Sequence, residues 1–186
     1  LLKRPNLEKI FYLMFLLQFF YAVMVIYTPI YLNQTIGLPW DQLGIIFTVM
    51  LIPFILIEYP AGYLADKYWG EKELLTIGLF IIIISLILIF LVETKSIIIW
   101  ALLLFLTRIG ASLLEIMSDT YFFKKINHND IALINSYRST RPLAYIFAPF
   151  IFGLILYIFP VHYVFLFLAA IVSTGLYFSL TLKDTK

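Results

Sequence analysis

Residues 108–141 read RIGASLLEIMSDTYFFKKINHNDIALINSYRSTR, and they place five ionisable groups inside segments otherwise apolar enough to be buried in lipid. Arg108, Glu115 and Asp119 lie on one apolar run, and Arg138 and Arg141 lie on the next. A polar turn, Lys124 to Asp130, separates the two. If both runs are helices, steps of about 100° per residue bring Arg108, Ser112, Glu115 and Asp119 into a narrow arc. Charge in hydrocarbon is costly, so that arc is expected to face protein or water rather than acyl chains.

Depth sharpens the reading. At a rise of about 1.5 Å per residue, Asp119 lies roughly 6 Å in from the turn, Glu115 roughly 12 Å, and Arg108 near the midplane. On the return run Arg138 lies roughly 10 Å in and Arg141 roughly 15 Å. In an antiparallel hairpin this matches Asp119 with Arg138 and Glu115 with Arg141. Such pairs serve either as a clamp between two helices or as part of a solute or proton pathway.

Composition sets the class. Of 186 residues, 63% are hydrophobic and only 13% charged, with a mean hydropathy of +1.00, which is a membrane protein's balance and not a soluble domain's. A net charge of +2 gives no sign of nucleic-acid binding, and the absence of Cys excludes disulfide and thiol chemistry from this chain. His128 and His162 both fall in turns, where a surface role is expected and metal ligation is not. No cofactor is expected.

Six apolar stretches are long enough to cross a bilayer, at about 20 residues each: roughly 10–32, 43–64, 74–92, 97–122, 132–158 and 163–182. The short polar turns between them make successive helices antiparallel. The reading is an all-α membrane protein with a basic lead-in over 1–9, one six-helix domain over 10–182 and a tail over 183–186. Lys3, Arg4, Lys9, Lys67, Lys72, Lys124, Lys125, Lys183 and Lys186 fall on one side, and Lys95 alone on the other. The positive-inside rule then puts both termini in the cytoplasm, with the plasma membrane as the expected location. Trp40, Trp69 and Trp100 each lie near a stretch end, where indoles favour the headgroup layer.

The stretches are not chemically equal. The third and sixth carry no ionisable side chain except tyrosine and are expected to face lipid over much of their surface. The fourth and fifth carry the charges just described, the second carries Glu58, and the first carries Gln18, Tyr21 and Thr28 at helical spacing. Prolines also gather in the first, second and fifth: Pro29, Pro53, Pro60, Pro142 and Pro149. Roles that recur every three helices suggest two three-helix repeats, as in transporters built from inverted repeats.

The turn after the second stretch reads Gly62-Tyr63-Leu64-Ala65-Asp66-Lys67-Tyr68-Trp69-Gly70-Glu71-Lys72. It resembles the signature of the major facilitator superfamily: a glycine, three residues, Asp, a basic residue, then a glycine and further basic residues, between the second and third helices of a six-helix half. Gly62 would allow close helix approach, and Asp66 could cap a helix while pairing with a base. Gly70 comes one residue late, and Glu71 and Glu73 flank Lys72 where the family has adjacent basic residues. Arg108-Ile109-Gly110 resembles the family's arginine-and-glycine stretch in the fourth helix, and Pro149 with Gly153 resembles its glycine-proline helix motif.

The resemblance implies one half of a twelve-helix transporter, with substrate held between two six-helix halves. The first and fourth helices would line the cavity, the second and fifth would meet the other half, and the third and sixth would support from outside. The chain opens on Leu rather than Met, so residues upstream are expected, and the basic start favours the C-terminal half.

The leading functional expectation is a secondary transporter that moves a small solute by alternating access. Arg108 would hold an anionic group or modulate a proton site, Glu115 could couple proton movement, and Gln18, Tyr21 and Ser112 would share the cavity. Asp66, Lys67, Gly70, Lys72, Glu58, Asp119, Arg138 and Arg141 would form the cytoplasmic gate. The partners implied are the bilayer, a second half or second copy, and a small-molecule substrate. Competing readings are a stand-alone homodimeric translocator and a non-transporting membrane scaffold. An intramembrane enzyme is disfavoured, because no G-x-S-x-G or H-E-x-x-H occurs and the histidines sit in turns.

Overall fold

Among the described residues, a break in the fifth stretch gives seven α-helices for six crossings. The computed structural model describes residues 6–127 and 129–183, the side chain of Asp66 excepted. The topology readings that used Lys3, Arg4 and Lys186, and the surface reading of His128, lie outside these. The helices are α1 (Leu7–Ile30), α2 (Trp40–Lys67), α3 (Glu71–Leu91), α4 (Ile97–Lys125), α5 (Ile131–Arg138), α6 (Thr140–Ile158) and α7 (Tyr163–Leu180). Together they make six crossings long and apolar enough for a bilayer, α5 and α6 forming the fifth. The first helix begins at Leu7, inside the stretch read as a lead-in.

Local chemistry explains the irregular points. Pro29 removes a backbone donor near the end of α1, and beyond it the helix widens into a π-turn, Tyr31–Thr35, with Ile36 N–H bonded to the Tyr31 carbonyl at 3.1 Å. The single-residue break at Ser139 precedes Pro142, which has no N–H to offer the Arg138 carbonyl. Gly70 starts α3, and its N–H donates to Glu73 Oε2 at 3.0 Å, so Glu73 closes a capping box.

The packing has a period of three helices. The buried share of each crossing runs 67, 17 and 44% over the first three and 50, 17 and 39% over the last three. Contacts follow the same rule: α2 packs on α4 as α6 packs on α1, α3 packs on α4 as α7 packs on α1, and α3 meets α7. Exchanging crossings 1 with 4, 2 with 5 and 3 with 6 maps this set of contacts onto itself, as a three-plus-three repeat requires.

The least buried crossings are therefore the second and fifth, while the third and sixth, which lack charge, still leave more than half of their residues uncovered. Tyr59 is 83% exposed and Tyr157 92%. A close backbone approach joins α3 to α4, where a Cβ on Gly78 would lie 2.8 Å from the Gly110 carbonyl oxygen and one on Gly110 would lie 2.6 Å from that of Gly78. Gly62, expected to allow such an approach, has nothing within 4 Å of a built Cβ; it lies on the sparsely packed second crossing, and Gly78 and Gly110 take the role instead.

The two ends of the bundle differ. Tyr31 packs edge-on against Trp100 and Phe165, tying α1, α4 and α7 together. Trp100 is fully buried and its Nε1–H donates to the Thr94 carbonyl at 2.6 Å. It thus departs from the headgroup role read for all three tryptophans, whereas Trp40 and Trp69 are exposed. At the opposite end Lys9 Nζ donates to the Thr181 carbonyl, Tyr121 to that of Lys183, and Lys124 pairs with buried Glu71. The described basic residues of the crowded side, Lys9, Lys67, Lys72, Lys124, Lys125 and Lys183, gather at this end.

Candidate functional site

One face of α4 carries the site. Arg108, Ser112, Glu115 and Asp119 recur every three or four residues, and each lines a cavity except that Ser112 and Asp119 do not reach the one beside Arg108. Glu115 borders all three cavities. The largest, about 340 Å³, lies among α1, α2, α4 and α6, with Gln18, Tyr21, Phe54, Arg108, Glu115 and Tyr145 in its wall. A second, about 280 Å³, runs past Asp119, Tyr137, Arg138 and Arg141. The third, about 260 Å³, adds Glu58 and Ser112.

Tyrosines, not arginines, hold the carboxylates. The Tyr21 hydroxyl donates to Glu115 Oε2 at 2.8 Å, and that of Tyr137 to Asp119 Oδ1 at 2.9 Å. Among the described residues neither acid forms an ion pair with the arginines expected for it. Arg138 and Arg141 are exposed, although both reach cavity walls. One helical step of 100° separates Tyr137 from Arg138, and it is Tyr137 that turns inward, 5% exposed. Its ring stacks on Phe122 at 4.0 Å between centroids, and Phe11 meets both rings edge-on.

Arg108 is buried without an ion pair among the described residues. It is 3% exposed, its guanidinium carbon lies 5.1 Å from the Tyr21 ring centre and 5.7 Å from that of Phe20, and one terminal nitrogen approaches the Met50 sulfur at 4.0 Å. Nε has no hydrogen-bond partner. Ring faces offset part of the desolvation of a cation, but no carboxylate lies within ion-pair distance of it among the described residues. Ser112 donates to the Arg108 carbonyl at 2.7 Å, and Gln18 is 8% exposed with its amide against Met14.

The motif residues at the basic end serve different purposes. Lys67 is exposed, bonds the Tyr63 hydroxyl at 2.7 Å and lies over the Tyr63 and Tyr68 rings. Lys72 borders a shallow apolar groove with Thr76, Phe80 and Leu180. The two acids that depart from the family pattern have local partners: Glu71 reaches Lys124, and Glu73 caps α3. The side chain of Asp66 lies outside the described residues, so the latch expected around it has no described centre. Glu58 and Arg138 each line a cavity that Asp119 also lines.

Sequence reasoning missed Tyr137, Tyr145, Phe20 and Phe54. For Tyr137 the available signal was an aromatic hydroxyl on the run next to that of Asp119, which hydropathy does not register. No group of three or more metal-ligating side chains occurs among the described residues.

Comparison with known proteins agrees with this architecture. The Major Facilitator Superfamily profile matches residues 9–186. The fold superposes on the crystal structure of the nucleoside transporter NupG with a TM-score of 0.84 at 17% identity, over 96% of this chain and 44% of that one. On the peptide transporter POT in complex with alafosfalin the TM-score is 0.74 at 18% identity, over 95% and 38%. The chain thus spans less than half of either transporter. No curated protein matches it.

Proposed function

Because the chain belongs to the major facilitator superfamily, we propose that it forms one six-helix half of a secondary transporter that moves a small solute by alternating access. Family and fold are those of membrane transporters, not enzymes. The observation that carries the reading is the charged cavity at mid-helix depth, where Gln18 and Tyr21 of α1, Arg108 and Glu115 of α4 and Tyr145 of α6 converge inside a multi-pass membrane domain. A scaffold has no use for a buried guanidinium and a half-buried carboxylate at that depth.

In this reading the exposed faces of the second and fifth crossings receive a second six-helix half, from the same protein or from another copy. The end bearing Lys9, Lys67 and Lys124 faces the cytoplasm, and the host is the plasma membrane. Solute sits between the halves and contacts Arg108, Gln18 and Tyr21. Glu115, bordering all three cavities, exchanges its tyrosine bond for a proton as the halves rock. Asp119, Glu58, Arg138 and Arg141 with the 62–72 turn form the cytoplasmic gate.

The test uses the full-length protein in liposomes and a solute found by thermal-shift screening. Glu115→Gln is expected to abolish accumulation driven by a proton gradient while leaving solute exchange. Unchanged accumulation removes Glu115 from the coupling step, and absence of any solute movement by the native protein removes the transporter reading.

A further inference from the structure

We propose that the cavity beside Arg108 takes an organic anion, an acid head on an apolar body, and that the head sits on the Arg108 guanidinium. This rests on the transporter reading, because the anion is then the cargo. The argument starts from an incomplete set of bonds. A guanidinium offers five N–H donors in a planar fork, and here a residue only 3% exposed has an Nε without any partner and a terminal nitrogen facing only the Met50 sulfur. Buried charges are normally paired, and this one is not.

Glu115 does not supply the missing anion. Its Oε2 accepts from Tyr21 at 2.8 Å, and no ion pair joins it to Arg108. The charged groups on the wall of this cavity are Arg108, Arg141 and Glu115, an excess of one positive charge. Acid side chains concentrate away from it: Glu58 and Asp119 line the cavity farther along α4, from which Arg108 is absent. The position that favours an anion is therefore the Arg108 end.

The rest of the wall sets the body. Val25, Met50, Leu51 and Phe54 are apolar, and Gln18 with the Tyr21 and Tyr145 rings completes the lining. A volume of about 340 Å³ falls at the small end of ligand pockets. A ring or branched chain fits against these residues while a planar carboxylate, or a phosphonate, meets the arginine fork in two parallel hydrogen bonds.

The experiment compares phenylacetate and benzylphosphonate with phenylacetamide and phenethylamine on the full-length protein in detergent, by isothermal titration and thermal shift. At least one acid is expected to bind about tenfold or more tightly than the amide of the same shape, because loss of a charged partner at a buried site costs at least that much. An amide or amine that binds as tightly as both acids, or no binding of either acid, overturns the proposal. The latter result would follow if a carboxylate of the second half already neutralised Arg108.

Variants locate the site. Arg108→Gln is expected to weaken the acid about 30-fold or more, Arg108→Lys less, and Glu115→Gln to tighten it. If Arg108→Gln fails to fold, the Lys variant and Glu115→Gln still decide: acid affinity unmoved in both overturns the assignment. Liposome transport separates the two readings. Acids that bind to a protein that moves no solute of any charge remove the transporter reading and leave the anion site, whereas transport confined to neutral or cationic solutes does the reverse.

Discussion

Arg108, buried, and Glu115 and Asp119, half-buried, show how charged side chains can sit at helix depth without cancelling one another. Each acid is held by one tyrosine hydroxyl, and the arginine lies over two rings. A hydroxyl stabilises a carboxylate less than a guanidinium does, so these acids stay open to exchange of partners. Removing the Tyr137 hydroxyl leaves one Asp119 oxygen without its donor. Tyr137→Phe is expected to lower unfolding stability by about 1–3 kcal/mol, read as a fall in Tm, while retaining the ring stack on Phe122. Ser118 offers a control of opposite sign. Its hydroxyl is fully buried and has no hydrogen-bond partner, so Ser118→Ala is expected to leave Tm unchanged or raise it.

Among elements, the α3–α4 contact is a close one. Gly78 and Gly110 let the two backbones approach until each carbonyl oxygen lies within 3 Å of where the other's Cβ would stand. In lipid, helix association depends on such close packing because apolar surface alone gives no preference for a neighbouring helix. Gly78→Ala and Gly110→Ala are each expected to cost about 1–3 kcal/mol through backbone displacement, whereas Gly62→Ala, with nothing within 4 Å, is expected to be neutral or mildly stabilising. Thermal unfolding in detergent distinguishes the three.

The same elements show what the sequence makes legible. Six crossings were readable because long apolar runs broken by charged turns have few alternatives, and the shared face of Ser112, Glu115 and Asp119 followed from helical spacing. Partner choice was not readable. Charge matching at equal depth put Arg138 on Asp119, but a single 100° step gives the contact to Tyr137. Trp100 was misplaced because nearness to a helix end does not reveal which way the ring points. Lack of charge in the third and sixth crossings points to lipid-facing surface, and Phe80, Ile84 and Tyr177 are exposed there, but it does not reveal the other faces, where Gly78 and Gly175 pack closely.

For the whole molecule, the repeat and the exposed faces belong together. Crossings 1 and 4 are the most buried, crossings 2 and 5 the least, and the pattern occurs twice. The α1–α4 pair therefore sits at the pseudo-symmetry axis with its charged face toward the cavities, while α2 and the α5–α6 pair flank it like two sides of an open trough. If a second half closes the trough and rocks across it, solvent must reach the Arg108 cavity from one side of the membrane at a time. This chain has no Cys, so a single thiol can report access against a background free of any other from this half. Leu51→Cys, on the exposed wall of α2, is expected to react with a membrane-impermeant maleimide at a rate that changes several-fold when a transported solute is added. Ile84→Cys, exposed on α3 and away from the cavities, is expected not to respond. Equal, solute-independent labelling at both positions would show that the trough does not open and close, whatever its charges bind.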